Sequence, residues 1–145
     1  MASSSCDLTI RLWDPVLGGV VGILAGHTDF VSDLAFSRDG AILATAGRDQ
    51  RSVRLWGVHS GQEKERSQFQ GLPKGSARSV AFSNDGRLLA IGCSDWMVRV
   101  YEVKTGLPPK WGGILSAHWG IVTCLAFVSF PRPSSQDWVV HIPTV

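Results

Sequence analysis

A repeat of about 45 residues limits this chain more than any other feature, because a segment recurring at fixed spacing is one structural unit stacked on copies of itself. Val31-Ser-Asp-Leu-Ala-Phe-Ser-Arg-Asp-Gly40 returns as Ala77-Arg-Ser-Val-Ala-Phe-Ser-Asn-Asp-Gly86, and Ile121-Val-Thr-Cys-Leu-Ala-Phe127 opens a third copy. Phe36, Phe82 and Phe127 stand 46 and 45 residues apart. A second landmark keeps the same interval: Thr9-Ile-Arg-Leu-Trp13, Val53-Arg-Leu-Trp56 and Val98-Arg-Val-Tyr101 end on aromatic residues 43 and 45 apart.

Within each period the apolar residues alternate or form short runs rich in Val, Ile, Leu and Phe, bounded by Asp-Gly, Ser-Gly and Thr-Gly. That pattern predicts four short strands per repeat. Asp39-Gly40 and Asp85-Gly86 suit a tight hairpin after the first strand, because glycine accepts positive φ without a β-carbon clash. Ser60-Gly61 and Thr105-Gly106 play the same part between the third strand and the fourth, and the polar stretch Gln62 to Gln68 fits an exposed outer strand. The chain is therefore expected to be all-β.

These residues together resemble the WD-repeat family of β-propellers, whose repeats carry Gly-His near the start and Trp-Asp near the end. The second repeat matches best, with Gly26-His27, the turn residue Asp49 and the strand-ending Trp56. The resemblance implies a buried structural tetrad on His27, Thr45, Asp49 and Trp56, a fully paired polar chain in which each group satisfies the next. The first repeat keeps Ser3, Asp7 and Trp13-Asp14 at matching spacings, without its histidine. The third keeps Asp95, puts Tyr101 for Trp, and offers Ile91 and Pro73 where Thr and His are expected. The fourth has Ala117-His118, with His118 nine residues before Phe127 as His27 is before Phe36, and then breaks into Ser-Phe-Pro-Arg-Pro-Ser-Ser from Ser129 to Ser135.

The implied architecture is a partial β-propeller of four-stranded antiparallel blades whose first and last blades are incomplete. Residues 1–128 would form it, with repeats ending near Trp13, Trp56 and Tyr101, and residues 129–145 would be a divergent tail. In the family's register Met1 aligns with Leu43 and Leu89, so the chain would supply strands two to four of one blade, two complete blades and a first strand at Ile121 to Val128. Three blades' worth of strands should not close alone, since family rings have four to eight blades and open edges invite pairing. Two expectations follow: a fragment or truncated isoform of a longer propeller, without independent function, or a homodimer in which the last strand of one copy completes the first blade of another by strand exchange. The segment Asp137 to Ile142 is read as a divergent second strand or as unrelated sequence.

A chain of 145 residues with 44% apolar and 18% charged residues can bury one core, and a net charge of +2 is too small to select an anionic partner. Cys6, Cys93 and Cys124 form no Cys-x-x-Cys pair, so they predict packed, reduced thiols in an intracellular protein, cytoplasmic or nuclear. The longest apolar run, Val16 to Ala25, is half of the ~20 residues a membrane helix requires, and the first residues lack the basic and apolar regions of a signal peptide. No membrane role is expected.

The chain contains no Gly-x-Ser-x-Gly, no Gly-x-x-x-x-Gly-Lys and no His-Glu-x-x-His, so no catalytic, cofactor or metal site is expected. What remains is recognition. Family propellers use the loops before the first strand and between the second and third for peptide or protein partners, and here those loops would present Phe30, Arg48, Arg51, Lys74, Trp96 and Trp119. Large aromatic and Arg side chains dominate binding energies, and this mixture suits an acidic or phosphorylated segment with an apolar anchor. The competing arrangement has Trp96 and Trp119 packed between blades. The expected function is a non-catalytic interaction scaffold; association with nucleic acid (RNA) through basic and aromatic loops is the alternative, at a pI of 8.6.

Overall fold

The computed structural model describes residues 1–50, 52–64, 69–74, 76–116 and 118–128, with the backbone alone for 139–141. Strands β1 (Ala2–Ser4), β2 (Thr9–Trp13) and β3 (Val20–Ala25) form one sheet, and β4 (Val31–Phe36), β5 (Ile42–Gly47) and β6 (Val53–Gly57) form a second. A third contains β7 (Ala77–Phe82), β8 (Leu88–Cys93), β9 (Val98–Glu102) and β10 (Ile114–Leu115), and a fourth pairs β11 (Ala126–Val128) with β12 (Val139–His141). Within each sheet, strands neighbouring in sequence pair antiparallel. The described residues hold no helix, so the chain is all-β and its sheets are those of a partial β-propeller.

Period-two geometry sends successive side chains to opposite faces of a strand, and in the second and third sheets both faces are covered. Leu43 and Trp56 meet Ile10, Leu12 and Leu24 of the first sheet. Ala44, Ala46, Val53 and Leu55, on the other face, meet Val80, Leu89, Ile91, Cys93 and Tyr101 of the third. Beyond that sheet, Ala90, Val98 and Val100 pack with Val122, Leu125 and Phe127. Sheets buried on two sides need apolar residues at consecutive positions, which is why β5 and β8 read as runs instead of strict alternation.

Polar bridges keep neighbouring sheets in register. Asp33 Oδ2 accepts the Val80 amide at 2.9 Å, Ser52 Oγ accepts the Ser76 amide at 3.1 Å, and Ser4 Oγ donates to the Val31 carbonyl at 3.4 Å. The β4–β5 and β7–β8 hairpins turn on Gly40 (φ +69°) and Gly86 (φ +70°). Beside each glycine an aspartate is tied back: Asp39 Oδ1 accepts the Ser37 hydroxyl at 2.5 Å, and Asp85 Oδ1 accepts that of Ser83 at 2.6 Å. The Ser37 bond, with the Ala41 amide, holds the Asp39 carboxyl below its usual value.

Several expectations change. The first strand of the fourth repeat covers only Ala126–Val128, because residues 121–125 lie outside any strand and bury Val122 and Leu125 by packing. The second sheet has three named strands, and its outer edge is a single bridge from Trp56 to Glu63; residues 65–68 of the expected outer strand lie outside the described residues. Cys93 is buried as expected, whereas Cys6 is exposed in a turn and Cys124 is exposed outside any strand. Most of the 129–145 tail lies outside the described residues, and its backbone at 139–141 pairs with β11.

Candidate functional site

Two groupings of polar and aromatic residues stand out. The first is a buried chain in the second sheet. His27 Nδ1 lies 2.9 Å from Asp49 Oδ2, and His27 Nε2 lies 2.6 Å from Thr45 Oγ1. Trp56 Nε1 donates to the same Thr45 oxygen at 3.1 Å. One tautomer satisfies every link: His27 Nδ1–H donates to the carboxylate, the Thr45 hydroxyl donates to Nε2, and the indole donates to Thr45. Asp49 Oδ2 also accepts the Thr28 amide at 3.0 Å and lies 3.5 Å from Arg54 Nη2, while Arg54 Nη1 pairs with Glu63 at 2.7 Å.

Burial pushes the His27 imidazole below its ordinary value, and the attraction of Asp49 opposes but does not overcome that effect. Burial thus favours the neutral ring, in which each of these hydrogen bonds can be made. Gly47 makes this approach feasible: a β-carbon there would lie 2.6 Å from His27 Nδ1.

The neighbouring sheets carry variants of the same device. Trp13 Nε1 donates to Ser3 Oγ at 2.8 Å on an exposed face. In the third sheet, which lacks the imidazole, Arg99 takes both oxygens of Asp95 at 2.9 and 2.7 Å and holds its carboxyl below the usual range. Tyr101 replaces the indole and packs against Phe69, ring centroids 5.1 Å apart. Sequence reasoning missed the arginine. Its signal was visible in the recurring Ile-Arg-Leu, Val-Arg-Leu and Val-Arg-Val cores of the aromatic landmark, where Arg11, Arg54 and Arg99 each approach the turn aspartate of their own repeat.

The second grouping lies on loops at the ends of the sheets. Antiparallel pairing returns the chain to the same end, so the loop before a first strand meets the turn after the second: the Arg48 amide donates to the Phe30 carbonyl at 3.0 Å, and the Ser94 amide to the Ser76 carbonyl at 2.8 Å. Phe30, Arg48 and Lys74 are exposed there. Arg51 lies outside the described residues. Trp96 and Trp119 are 50% and 94% exposed, so they do not pack between blades. Both border one hollow of about 250 Å³, together with Asp95, Met97, Ser116 and His118. Trp96 stands at φ +70°, a left-handed conformation unusual for a bulky residue, as does Leu8 (φ +67°) at the matching turn of the first repeat.

Among the described residues no group of three or more His, Cys, Asp or Glu could hold a metal, and no helix is long and apolar enough to cross a membrane. The arrangement offers packing surface and hydrogen bonds.

Comparison with known proteins agrees with this geometry. The family profile described as "WD domain, G-beta repeat" matches residues 18–57 and 65–102, just over half of the chain. The chain is 34% identical over 140 residues to a guanine nucleotide-binding protein subunit beta of Zea mays, covering 88% of this chain and 35% of that protein. A protein of the same name from Solanum tuberosum is 33% identical over 134 residues, covering 85% and 33%. Autophagy-related protein 18 of Schizosaccharomyces pombe is 30% identical over 104 residues, covering 72% and 28%. The chain thus spans about a third of the length of the curated relatives it matches. With the repeat profile, the antiparallel sheets and the recurring turn aspartates in agreement, the chain belongs to the WD-repeat family.

Proposed function

We propose that this chain is a non-catalytic protein-interaction module that takes a peptide or protein partner on its loop end. The observation that carries the reading is the pair of exposed tryptophans, Trp96 and Trp119, on one hollow of about 250 Å³. Exposed indoles offer large contact area with few rotatable bonds, and such side chains dominate measured binding energies. Arg48 and Lys74, exposed on loops at the same ends of neighbouring sheets, add positive charge, which favours a segment with an acidic or phosphorylated group beside an apolar anchor. The Zea mays and Solanum tuberosum relatives are by name subunits, components of an assembly, which supports recognition in place of chemistry.

The test is affinity capture from cell extract with the wild-type chain and with the Trp119→Ala, Arg48→Ala double variant, followed by binding measurements on the recovered partner. The double variant should keep its circular dichroism and lose affinity by roughly a hundredfold, since two anchors of ~1 to 2 kcal/mol each are removed. Undiminished affinity refutes the reading. A recovered nucleic acid whose binding falls steeply with salt would replace it by the phosphate-binding alternative.

A further inference from the structure

The two tryptophans of the loop end depart from the chain's own repeat. Trp119 follows His118 where Thr28 follows His27, and Trp96 follows Asp95 where Leu8 follows Asp7 and Gln50 follows Asp49. Neither indole is buried by the sheets, and the hydrogen-bond chain of the second repeat is complete without an aromatic residue at either place. Trp96 is nevertheless held firmly. Asp95 Oδ1 accepts the Met97 amide at 3.4 Å, which closes the turn around Trp96 at φ +70°, and Arg99 fixes both oxygens of that carboxylate at 2.9 and 2.7 Å. Both tryptophans line the hollow of about 250 Å³ described above, with Asp95, Met97, Ser116 and His118.

The chemistry of that lining is one-sided. Among the described residues that line the hollow there is no Lys or Arg, Asp95 brings a negative charge, and the indoles bring ring faces of negative quadrupole. Arg99 is itself buried and engaged by Asp95. Granted the interaction module proposed above, on which this rests, we infer that the group held in the hollow is the trimethylated ammonium of a lysine side chain on the partner. A cation over an aromatic face is attracted by the ring quadrupole, most strongly by Trp. Hydrogen-bond supply separates this guest from an unmodified lysine or an arginine. Both Asp95 oxygens already accept from Arg99, Oδ1 accepts from Met97 as well, and His118 Nε2 is buried out of a guest's reach. The donors of an ammonium or guanidinium would find few acceptors beyond the Ser116 hydroxyl, whereas a trimethylammonium has no N–H to satisfy. Its methyl groups instead cover apolar surface that Trp119 and Trp96 leave in water, beside the polarisable Met97 thioether. Arg48 and Lys74, exposed on loops of the neighbouring sheets, then meet acidic residues flanking the modified lysine.

The experiment uses the full chain and three forms of the peptide acetyl-Glu-Gly-Lys-Gly-Glu-amide: with the lysine trimethylated, with it unmodified, and with it replaced by the neutral tert-butyl isostere, in which carbon stands for the quaternary nitrogen. Titrations followed by nuclear magnetic resonance read the methyl protons, which indole ring currents shift upfield. The trimethylated peptide should bind roughly fivefold or more tightly than either other form, because the isostere keeps the shape and loses only the charge. Trp119→Leu should abolish that preference with the circular dichroism unchanged, since this side chain is 94% exposed, and Trp119→Phe, which keeps a ring face, should retain part of it. Equal binding of the trimethylated peptide and its isostere overturns the inference and leaves an apolar anchor. A preference that survives Trp119→Leu overturns it, as does tighter binding of the unmodified peptide. Binding to phosphatidylcholine vesicles without binding to the trimethylated peptide also overturns it, by assigning the hollow to a lipid headgroup. If none of the peptides binds, the inference falls alone: the interaction module stands or falls separately, on whether the Trp119→Ala, Arg48→Ala variant loses its captured partner.

Discussion

At the residue scale, His27 is the group whose environment decides most. Its Nε2 must be unprotonated to accept the Thr45 hydroxyl at 2.6 Å, and burial favours that neutral form. The unfolded chain releases the ring to water, where it titrates at its ordinary value of 6.5. Because the folded value lies below the unfolded one, the unfolded state binds the proton first as the pH falls. The full contribution is present above pH 6.5 and is lost progressively as pH falls below that point towards the folded value. Urea midpoints measured from pH 7.5 down to 5 should therefore decline for the wild type, and His27→Gln should flatten the decline while lowering the plateau. A wild-type curve as flat as that of the variant would contradict the assignment. The bound carboxylates Asp7, Asp14, Asp39 and Asp95 have depressed values, so their contributions are lost only in a separate, more acid window.

At the element scale, the turn between β8 and β9 demands a left-handed residue, and the sequence supplies Trp96 instead of glycine. A bulky side chain at φ +70° strains the backbone by about 1 to 2 kcal/mol, and half-exposure of an indole adds no compensating burial. Trp96→Gly should therefore raise stability by about 1 kcal/mol, less than the full strain because glycine also loosens the unfolded chain. Partner affinity should fall in the same variant, so that stability and binding move in opposite directions. Loss of stability instead would mean that Trp96 packs usefully in the free protein. The hairpins were legible in advance because Asp-Gly meets a local demand for positive φ. Trp96 and Leu8 were not, because their geometry is imposed by the strands they join.

At the scale of the whole molecule, each sheet presents apolar residues on both faces and depends on its neighbours for cover. Leu43 is fully buried between the first and second sheets. Leu43→Ala should cost about 2 to 5 kcal/mol through lost transfer energy and the cavity it leaves. The loss should appear as a lower midpoint of one cooperative transition, monitored by tryptophan fluorescence and far-ultraviolet circular dichroism together; separate transitions would show that the sheets fold independently. The repeat, its landmarks and the Asp-Gly turns were enough to read an all-β chain of stacked sheets, because periodicity and turn chemistry are local properties written residue by residue. The positions of His27, Thr45, Asp49 and Trp56 came from the resemblance to the WD-repeat family. Tertiary structure alone decided the rest: that Asp33 and Ser52 bridge sheets, that Trp96 and Trp119 stand in solvent around one hollow, and that His118 Nε2 is buried with no hydrogen-bond partner among the described residues. Each of these depends on which distant segments meet, and the free energy of a polar or aromatic group is set by its neighbours in space, which no local pattern encodes.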